Sequence, residues 1–164
     1  TFKHRGVPAG TLLLESLHRV ECLAPRYLEA GQFLDQQPLR MLLTQAGKEV
    51  GDKLSSGFLA EALQKVPTAT SAAALNKLRP VLEKLLPALE GRAQEAVEYR
   101  SKEAMTLALT HYDNELSRLR YLQSVNPSVR EEELSALSEQ REACRTALAQ
   151  TQAVLEGLRV CIAV

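Results

Sequence analysis

The chain has 164 residues, of which 45% are hydrophobic and 24% are charged, values typical of a globular domain with its own core. Lys and Arg number 20, as do Asp and Glu, and this balance argues against a domain built mainly to hold nucleic acid. No apolar run reaches the roughly 20 residues of a membrane span, and no signal peptide is visible. Because residue 1 is not a methionine, we expect the chain to begin inside a longer protein.

Two strands are predicted near the N-terminus. Residues 11–23 combine an apolar first half with an alternating second half, the pattern of a strand buried at one end and half-exposed at the other. A helix over residues 12–23 is the alternative, because leucines also favour helices. Pro38 opens a second strand at residues 39–44, followed by a turn at residues 45–48. Consecutive strands most simply pair antiparallel.

Helical patterns follow the two strands. A short helix is predicted for residues 56–65, with Ser56 as its capping residue. A longer apolar pattern begins near residue 70 and contains Pro80 and Pro87. Each proline lacks a backbone N–H and clashes with the preceding turn, so we expect a break or kink just before each. The sequence leaves open whether residues 71–123 form one bent helix or several pieces.

Two long helices joined by a short link organise the chain, within residues 93–155. In both helices the apolar residues alternate steps of three and four, which keeps one stripe of each facing a partner. The link, residues 124–128, contains a proline and cannot continue a helix. Asn126 or Ser128 can cap the second helix, and Ser128 with Glu131 has the spacing of a capping box. A short link predicts an antiparallel helical hairpin.

The C-terminus is predicted to return to the sheet. Gly157 is a natural residue to end the second helix, and residues 158–164 are short, apolar and rich in β-branched side chains. The predicted class is therefore α+β: a small antiparallel sheet from the N-terminal strands plus the C-terminal strand, with a long antiparallel helical hairpin and shorter helices. We predict a single domain, 1–164, with the sheet in residues 11–50 and 158–164 and the helices in about 56–156.

The sequence contains no recognisable catalytic or phosphate-binding motif. Cys22, Cys144 and Cys161 fit no zinc pattern, and their odd number argues against a disulfide framework, so we interpret them as reduced thiols in or near the core. His18 and Cys22 share one face of the first predicted strand. A catalytic pair would also need an orienting group and an exposed thiolate, so we favour a structural role for both.

Arginines flank the predicted hairpin tip, and they are candidate partner contacts. Three consecutive glutamates at residues 131–133 splay around the helix and suit its positive N-terminal end better than a metal ion. Interspersed signs are typical of a solvated surface, which is the alternative interpretation of the arginines. The hairpin can dock a partner or can simply pack within its own domain. The candidate contact residues are Arg118, Arg120, Asn126 and Arg130.

Several short motifs carry a family resemblance, in the same order as in that family. They resemble the C-terminal region of the RapA (HepA) family, the bacterial RNA-polymerase-associated ATPases of SWI/SNF type, and the motif at the hairpin tip is the most specific. Gly157 and Cys161 stand where bulkier residues are expected. The motifs are Pro8-Ala9-Gly10-Thr11, Ala24-Pro25, Pro38-Leu39-Arg40-Met41-Leu42-Leu43, Leu116-Ser117-Arg118-Leu119, Val125-Asn126-Pro127, Val129-Arg130, Glu133-Leu134 and Leu155-Glu156-Gly157-Leu158-Arg159-Val160.

The resemblance implies an accessory role. Proteins of this family hydrolyse ATP with Mg²⁺ on two RecA-like lobes and help to release RNA polymerase for further rounds of transcription. The phosphate-binding loop and the DEAH-type box of those lobes are absent here, so the resemblance implies a domain without catalytic, cofactor-binding or metal-binding residues of its own. Its implied partners are the RNA polymerase core and its own ATPase lobes, with nucleic acid reached only through the rest of the protein and no membrane. The implied location is the bacterial cytoplasm, in association with the nucleoid.

Two other functions compete with this one. A free-standing helical hairpin could be a protein–protein interaction module, binding a helical partner or a second copy of itself. A small enzyme that uses Cys22 and His18 is the third hypothesis, and it has the least support from the sequence.

Overall fold

The computed structural model describes residues 1–126 and 128–164, which contain one three-stranded sheet and three α-helices. The α+β class is therefore confirmed. Two single-turn 3₁₀ helices, Arg26–Leu28 and Ala30–Gln32, follow the first strand. In chain order the main elements are β1 (Leu12–Glu21), β2 (Leu39–Thr44), α1 (Ser56–Ala62), α2 (Thr68–Val125), α3 (Glu131–Ala149) and β3 (Gln152–Ile162).

The described chain divides into two compact units. The first comprises Thr1–Arg19, Pro38–Gln94 and Val154–Val164, and the second comprises Val20–Gln37 and Glu95–Ala153. The elements β1, α2 and β3 each continue from one unit into the other. A single domain spanning residues 1–164 stays a prediction.

The sheet lies in the first unit and has the strand order β2-β1-β3. The strands β1 and β2 pair antiparallel, with Leu14 opposite Leu43. On the other side of β1, the Ala163 N–H donates to the Thr11 carbonyl at 3.0 Å, so the C-terminus joins the N-terminal strands as predicted. The helical alternative for residues 12–23 is wrong.

Both faces of the sheet are covered at the start of β1. On one face Leu13 and Leu42 pack with Phe2 and with Leu59 of α1. On the other face the neighbouring residues of β1 and β2 pack against the first half of α2. This double burial explains why β1 is apolar at each of its first three positions, Leu12 to Leu14.

The helix α2 is continuous from Thr68 to Val125, so the breaks expected before Pro80 and Pro87 are not found. Both prolines are exposed, and their spacing of seven residues, two helical turns, places them on one face. Leu85 and Leu89 lie on the opposite, buried face. The carbonyl groups that lose their partners at each proline therefore face water, which can bond them, and the helix continues.

The bounds and cap of the short helix α1 differ slightly from prediction. Ser55, not Ser56, caps α1, and its hydroxyl accepts a hydrogen bond from the Phe58 N–H at 3.2 Å. The helix ends at Ala62, three residues before the predicted end. Helix ends commonly shift by a residue or two, because the last turns are held by few bonds.

The second unit contains the helical hairpin. The Ser101 hydroxyl donates to the Leu148 carbonyl at 2.6 Å, and the Arg141 Nε donates to Asp113 at 2.8 Å. Residue numbers rise along α2 as they fall along α3, so the two helices are antiparallel, as predicted. The buried seam between them consists of Ala104, Ala108, Tyr112, Leu116, Leu134, Cys144 and Leu148.

The second helix of the hairpin is shorter than predicted, and the final strand is longer. The helix α3 ends at Ala149, and β3 begins at Gln152, so Gly157 lies inside a strand and not at a helix end. The helical rhythm of the sequence continues through Leu155, but pairing with the second half of β1 competes with it. The ion pair between Arg19 and Glu156, at 2.9 Å, belongs to that pairing. Tertiary pairing therefore outweighs local helix preference.

Candidate partner-binding site at the hairpin tip

Local hydrogen bonds shape the hairpin tip, which we define as residues 118–126 and 128–133. The Asn126 N–H donates to the Leu122 carbonyl at 2.7 Å, which closes α2. The side-chain oxygen of Asn126 accepts from the Ser128 N–H at 3.0 Å, an Asx-type turn. Asn126 was predicted as a partner contact, and this stays a prediction. In the structure its side-chain oxygen forms a hydrogen bond within the turn.

The cap of α3 also differs from the expected one. Arg130 occupies the N-cap position, and its backbone N–H donates to the Glu133 carboxylate at 3.3 Å. The predicted capping box of Ser128 and Glu131 is therefore wrong, because α3 begins later than that box requires. Glu131 instead accepts a hydrogen bond from the Gln123 side chain at 3.0 Å, which joins the two helices. The proline of the link, Pro127, lies outside the described residues.

Charges at the tip largely compensate one another. Arg118 donates to Glu115 one turn earlier, at 2.8 Å, and this hydrogen bond lowers the pKa of the Glu115 carboxyl. Further from the tip, Arg141 bonds Asp113 and lowers the pKa of that carboxyl in the same way. All these groups are solvated, so their ion pairs contribute little to stability.

The arginines of the tip do not form one basic patch. Arg118 and Arg120 are two positions apart on a helix, so they project in nearly opposite directions. Four carboxylates, those of Glu115 and residues 131–133, accompany the guanidinium groups of Arg118, Arg120 and Arg130. Within the described residues, Arg120 and Arg130 take part in no ion pair, and both are exposed. The charge of Arg120 nevertheless helps to lower the pKa of the Asp113 carboxyl, after the larger effect of the Arg141 hydrogen bond.

The structure adds an apolar pair that the sequence analysis missed. Tyr121 and Val125 are 69% and 63% exposed, and their spacing of four places them on one helix face. Arg118 lies three residues before Tyr121, on the same side. We call Arg118, Tyr121 and Val125 the tip stripe. Tyrosine and arginine are the residue types that most often dominate binding energy at protein interfaces. The available signal was that both apolar residues fall outside the rhythm of the buried seam.

Away from the tip, the histidine and the cysteines considered as catalytic candidates lie in or near the core. His18 is 1% exposed, its ring nitrogens have no hydrogen-bonding partner among the described residues, and burial lowers its pKa. The Cys22 thiol donates to the Ala147 carbonyl at 3.4 Å. Burial raises the pKa of the Cys144 and Cys161 thiols. All three cysteines are free, which agrees with the interpretation as reduced thiols.

An ion cluster around the buried Glu15 carboxylate in the sheet is also structural. The carboxylate of Glu15, 6% exposed, accepts a hydrogen bond from Arg40 Nε at 2.6 Å, and Arg159 Nε lies 2.8 Å from its other oxygen. The three residues come from three adjacent strands, so the cluster fixes their register. Within residues 1–126 and 128–164 no group of histidines, cysteines and carboxylates is placed to hold a metal ion. No helix in the same part of the chain is long and apolar enough to cross a membrane.

These features define an α+β domain with a helical hairpin, whose two termini meet in one sheet and whose tip exposes an aromatic side chain. The chain belongs to the family described as RNA polymerase recycling family C-terminal, which it matches over residues 1–163. It is 37% identical over 161 residues to the RNA polymerase-associated protein RapA of Stutzerimonas stutzeri strain A1501. The proteins of the same name from Pseudomonas putida strain W619 and Pseudomonas aeruginosa strain LESB58 are 35% identical. Each alignment covers 98% of this chain but 17% of the relative's length. The family resemblance of the short motifs is thus confirmed.

Proposed function

We propose that this chain is the C-terminal accessory domain of a RapA-like ATPase and that it binds and positions partners without catalysing a reaction itself. The observation that carries the proposal is the match over residues 1–163 to a C-terminal RNA polymerase recycling family. The share of 17% in the relatives' length supports a division of labour, in which ATP and Mg²⁺ are bound by other parts of the protein. The Cys22 thiol, which is bonded to the Ala147 carbonyl, and the buried His18 support the same proposal against a thiol enzyme.

The proposed contact with RNA polymerase is the hairpin tip. A hairpin of two long helices holds its end on a rigid base, which lowers the entropy lost on binding. The tip stripe supplies an exposed aromatic anchor, and Arg120 and Arg130 supply exposed charges that form no close ion pair within the described residues. The partner would be the polymerase core, in the bacterial cytoplasm and near the nucleoid. Nucleic acid would be reached through the remainder of the protein.

A direct binding measurement tests this contact. The 164-residue chain is titrated onto purified core RNA polymerase at two salt concentrations, and the dissociation constant is measured for each variant. We expect Tyr121→Ala to weaken binding at least tenfold, because an interfacial aromatic anchor typically contributes about 2 kcal/mol. We expect Arg120→Glu with Arg130→Glu to weaken binding more at low salt than at high salt, because screening shortens the reach of these charges.

Tyr99 provides the matched control. It lies on the same helix, is 65% exposed, and is far from the tip in sequence, so Tyr99→Ala should leave the dissociation constant unchanged. Equal losses for Tyr99→Ala and Tyr121→Ala would exclude the tip as the contact. If the 164-residue chain does not bind while a longer protein that contains it does, the result would contradict the tip contact and would point to a role on its own ATPase lobes.

A free-standing interaction module is the second candidate function. The observation that favours it is Leu107, a 59% exposed leucine on the outer side of α2. Sedimentation of the 164-residue chain at increasing concentration tests self-association, and a Leu107→Ser variant tests the surface. A monomer at all concentrations would remove the self-association form of this candidate.

A further inference from the structure

The strand β3 is at the edge of the sheet, and part of its outer side already has a neighbour. Phe2 forms a parallel bridge with Ala163: its N–H donates to the Ile162 carbonyl at 3.1 Å, and its carbonyl accepts from the Val164 N–H at 2.9 Å. Phe2 is therefore one residue of an incipient fourth strand. Further back along β3, the outer side has no strand beside it in the described chain.

Thr1 continues this strand with the alternation expected of strand geometry. Its backbone nitrogen and carbonyl point away from β3 and form two hydrogen bonds with Gln64. The nitrogen donates to the Gln64 carbonyl at 2.8 Å, and the carbonyl accepts from the Gln64 N–H at 2.7 Å. A peptide N–H at Thr1 could make the same bond as the terminal nitrogen. In a strand, backbone groups point alternately to the two sides, so the residue before Thr1 would point back to β3.

The register of that added strand follows from the Phe2 bridge. The residue before Thr1 would donate its N–H to the Val160 carbonyl and accept from the Ile162 N–H. Two residues earlier, the chain would donate to the Leu158 carbonyl and accept from the Val160 N–H. The Ala163 N–H bonds to the Thr11 carbonyl on the inner side of β3. Because alternate residues of a strand direct their backbone groups to the same side, the N–H and carbonyl groups of Arg159 and Cys161 also point inward.

An apolar cavity lies beside this path. Its volume is about 570 Å³, and Thr1, the first turns of α2 and the last part of β3 line it. Leu75 and Leu158 on its walls are 44% and 45% exposed, and Val160 faces the same space. A strand running back from Thr1 would place every second side chain in this cavity, which is the arrangement of recognition by strand addition.

We propose that, in the full-length protein, the residues directly before Thr1 form a fourth strand that runs parallel to β3, with alternate apolar side chains in this cavity. The matched family is a C-terminal one, and the aligned region is 17% of each relative, so in those relatives a long chain precedes the corresponding position. The added strand covers an exposed edge that otherwise invites aggregation. It also fixes the first unit to the part of the protein that precedes it. The proposal is independent of the polymerase contact, which uses other residues.

Amide hydrogen exchange tests the proposal on the full-length protein and on the 164-residue chain. The amides of Leu158, Val160 and Ile162 should exchange freely in the short chain and at least tenfold more slowly in the full-length protein. The amides of Arg159 and Cys161, which face β1, are the internal control and should be protected in both. Equal exchange of the outward amides in the two proteins would overturn the proposal.

A cavity variant gives a second measurement on the full-length protein. Leu78 lines the cavity and is partly exposed, so Leu78→Asp should restore fast exchange of the Val160 amide while the Cys161 amide stays protected. Unchanged exchange at Val160 in this variant contradicts the proposal. If the outward amides of the short chain are already protected, and more so at higher concentration, a second copy occupies the edge and the proposal is wrong.

Discussion

A buried histidine in the core has no hydrogen-bonding partner among the described residues. His18 is buried in β1, and desolvation lowers its pKa below the usual value of 6.5, while the charge of Glu90 acts in the opposite sense and is the smaller cause. Its neighbours in sequence gave no sign of this, because His18 simply occupies the alternating position between Ser16 and Val20. The cost of burying an unpaired polar ring is lowest when the ring is neutral.

We therefore expect the free energy of unfolding to fall as the pH is lowered through 6.5. The unfolded chain, with the higher pKa, binds a proton before the folded one does, so protonation favours unfolding. The contribution is complete above pH 6.5 and is lost progressively toward the lowered pKa of the folded state. Urea unfolding measured at several pH values from about 5 to 8, the range in which histidine usually titrates, gives the change of the unfolding free energy with pH.

The His18→Leu variant supplies the control. It keeps an apolar side chain of similar size in the core and removes the titrating group, so its unfolding free energy should vary less over the same pH range. Identical slopes for the variant and the unmodified protein would assign the pH dependence to other groups.

Single residues were predictable where their role is local. The glutamates at residues 131–133 do occupy the first turn of α3, where the helix dipole favours them. The exposure of Tyr121 was not predictable, because it depends on which face of α2 meets α3. The turn-forming role of Asn126 was partly visible from the adjacent proline, but the start of α3 at Glu131 was not.

At the scale of elements, the sequence patterns predicted the type of the main helices and strands correctly, but not all of the residues at which these elements end. The strand β2 has the predicted bounds, because Pro38 and the turn around Gly47 delimit it. Gly47 has a φ of 76°, a left-handed conformation that glycine adopts at little cost. The boundary between α3 and β3 was misplaced because residues 150–157 satisfy both a helical and a strand pattern. Contact with β1 decides between them, and that contact is not visible in a local window.

The continuous helix α2 leads to a prediction about its prolines. Pro80 is exposed inside the helix, where it leaves the carbonyl four residues earlier without an intrahelical partner. Replacing it by alanine restores the bond, so Pro80→Ala should raise the free energy of unfolding by about 1–3 kcal/mol. Thermal and urea unfolding measure the change.

Pro8→Ala is the matched control, since Pro8 lies in a turn before β1 and its replacement restores no helical hydrogen bond. A loss of stability in Pro80→Ala would show that the proline itself favours the packed conformation of α2. Equal effects of the two substitutions would point to the unfolded chain as the cause, since proline restricts its conformations.

For the whole molecule, the α+β class could be predicted because an apolar C-terminal segment cannot remain a free tail. The strand order β2-β1-β3 could not, since either side of β1 was available to the C-terminal strand. The division into two compact units was also invisible in the sequence. Three of the four crossings between the units fall inside β1, α2 and β3, and the fourth falls between Gln37 and Pro38.

We predict that the two units unfold together, because three elements continue from one unit into the other. A helix or strand that is disrupted in one unit loses its continuation into the other, so folding of either supports the other. We expect one calorimetric transition, as in a single domain. Leu42→Ala in the first unit and Leu148→Ala in the second each remove a fully buried leucine, and each should destabilise the protein by about 3 kcal/mol. Both variants should lower the temperature of that same transition. Two transitions, each moved by one variant alone, would show two separate domains and contradict the single domain predicted for residues 1–164.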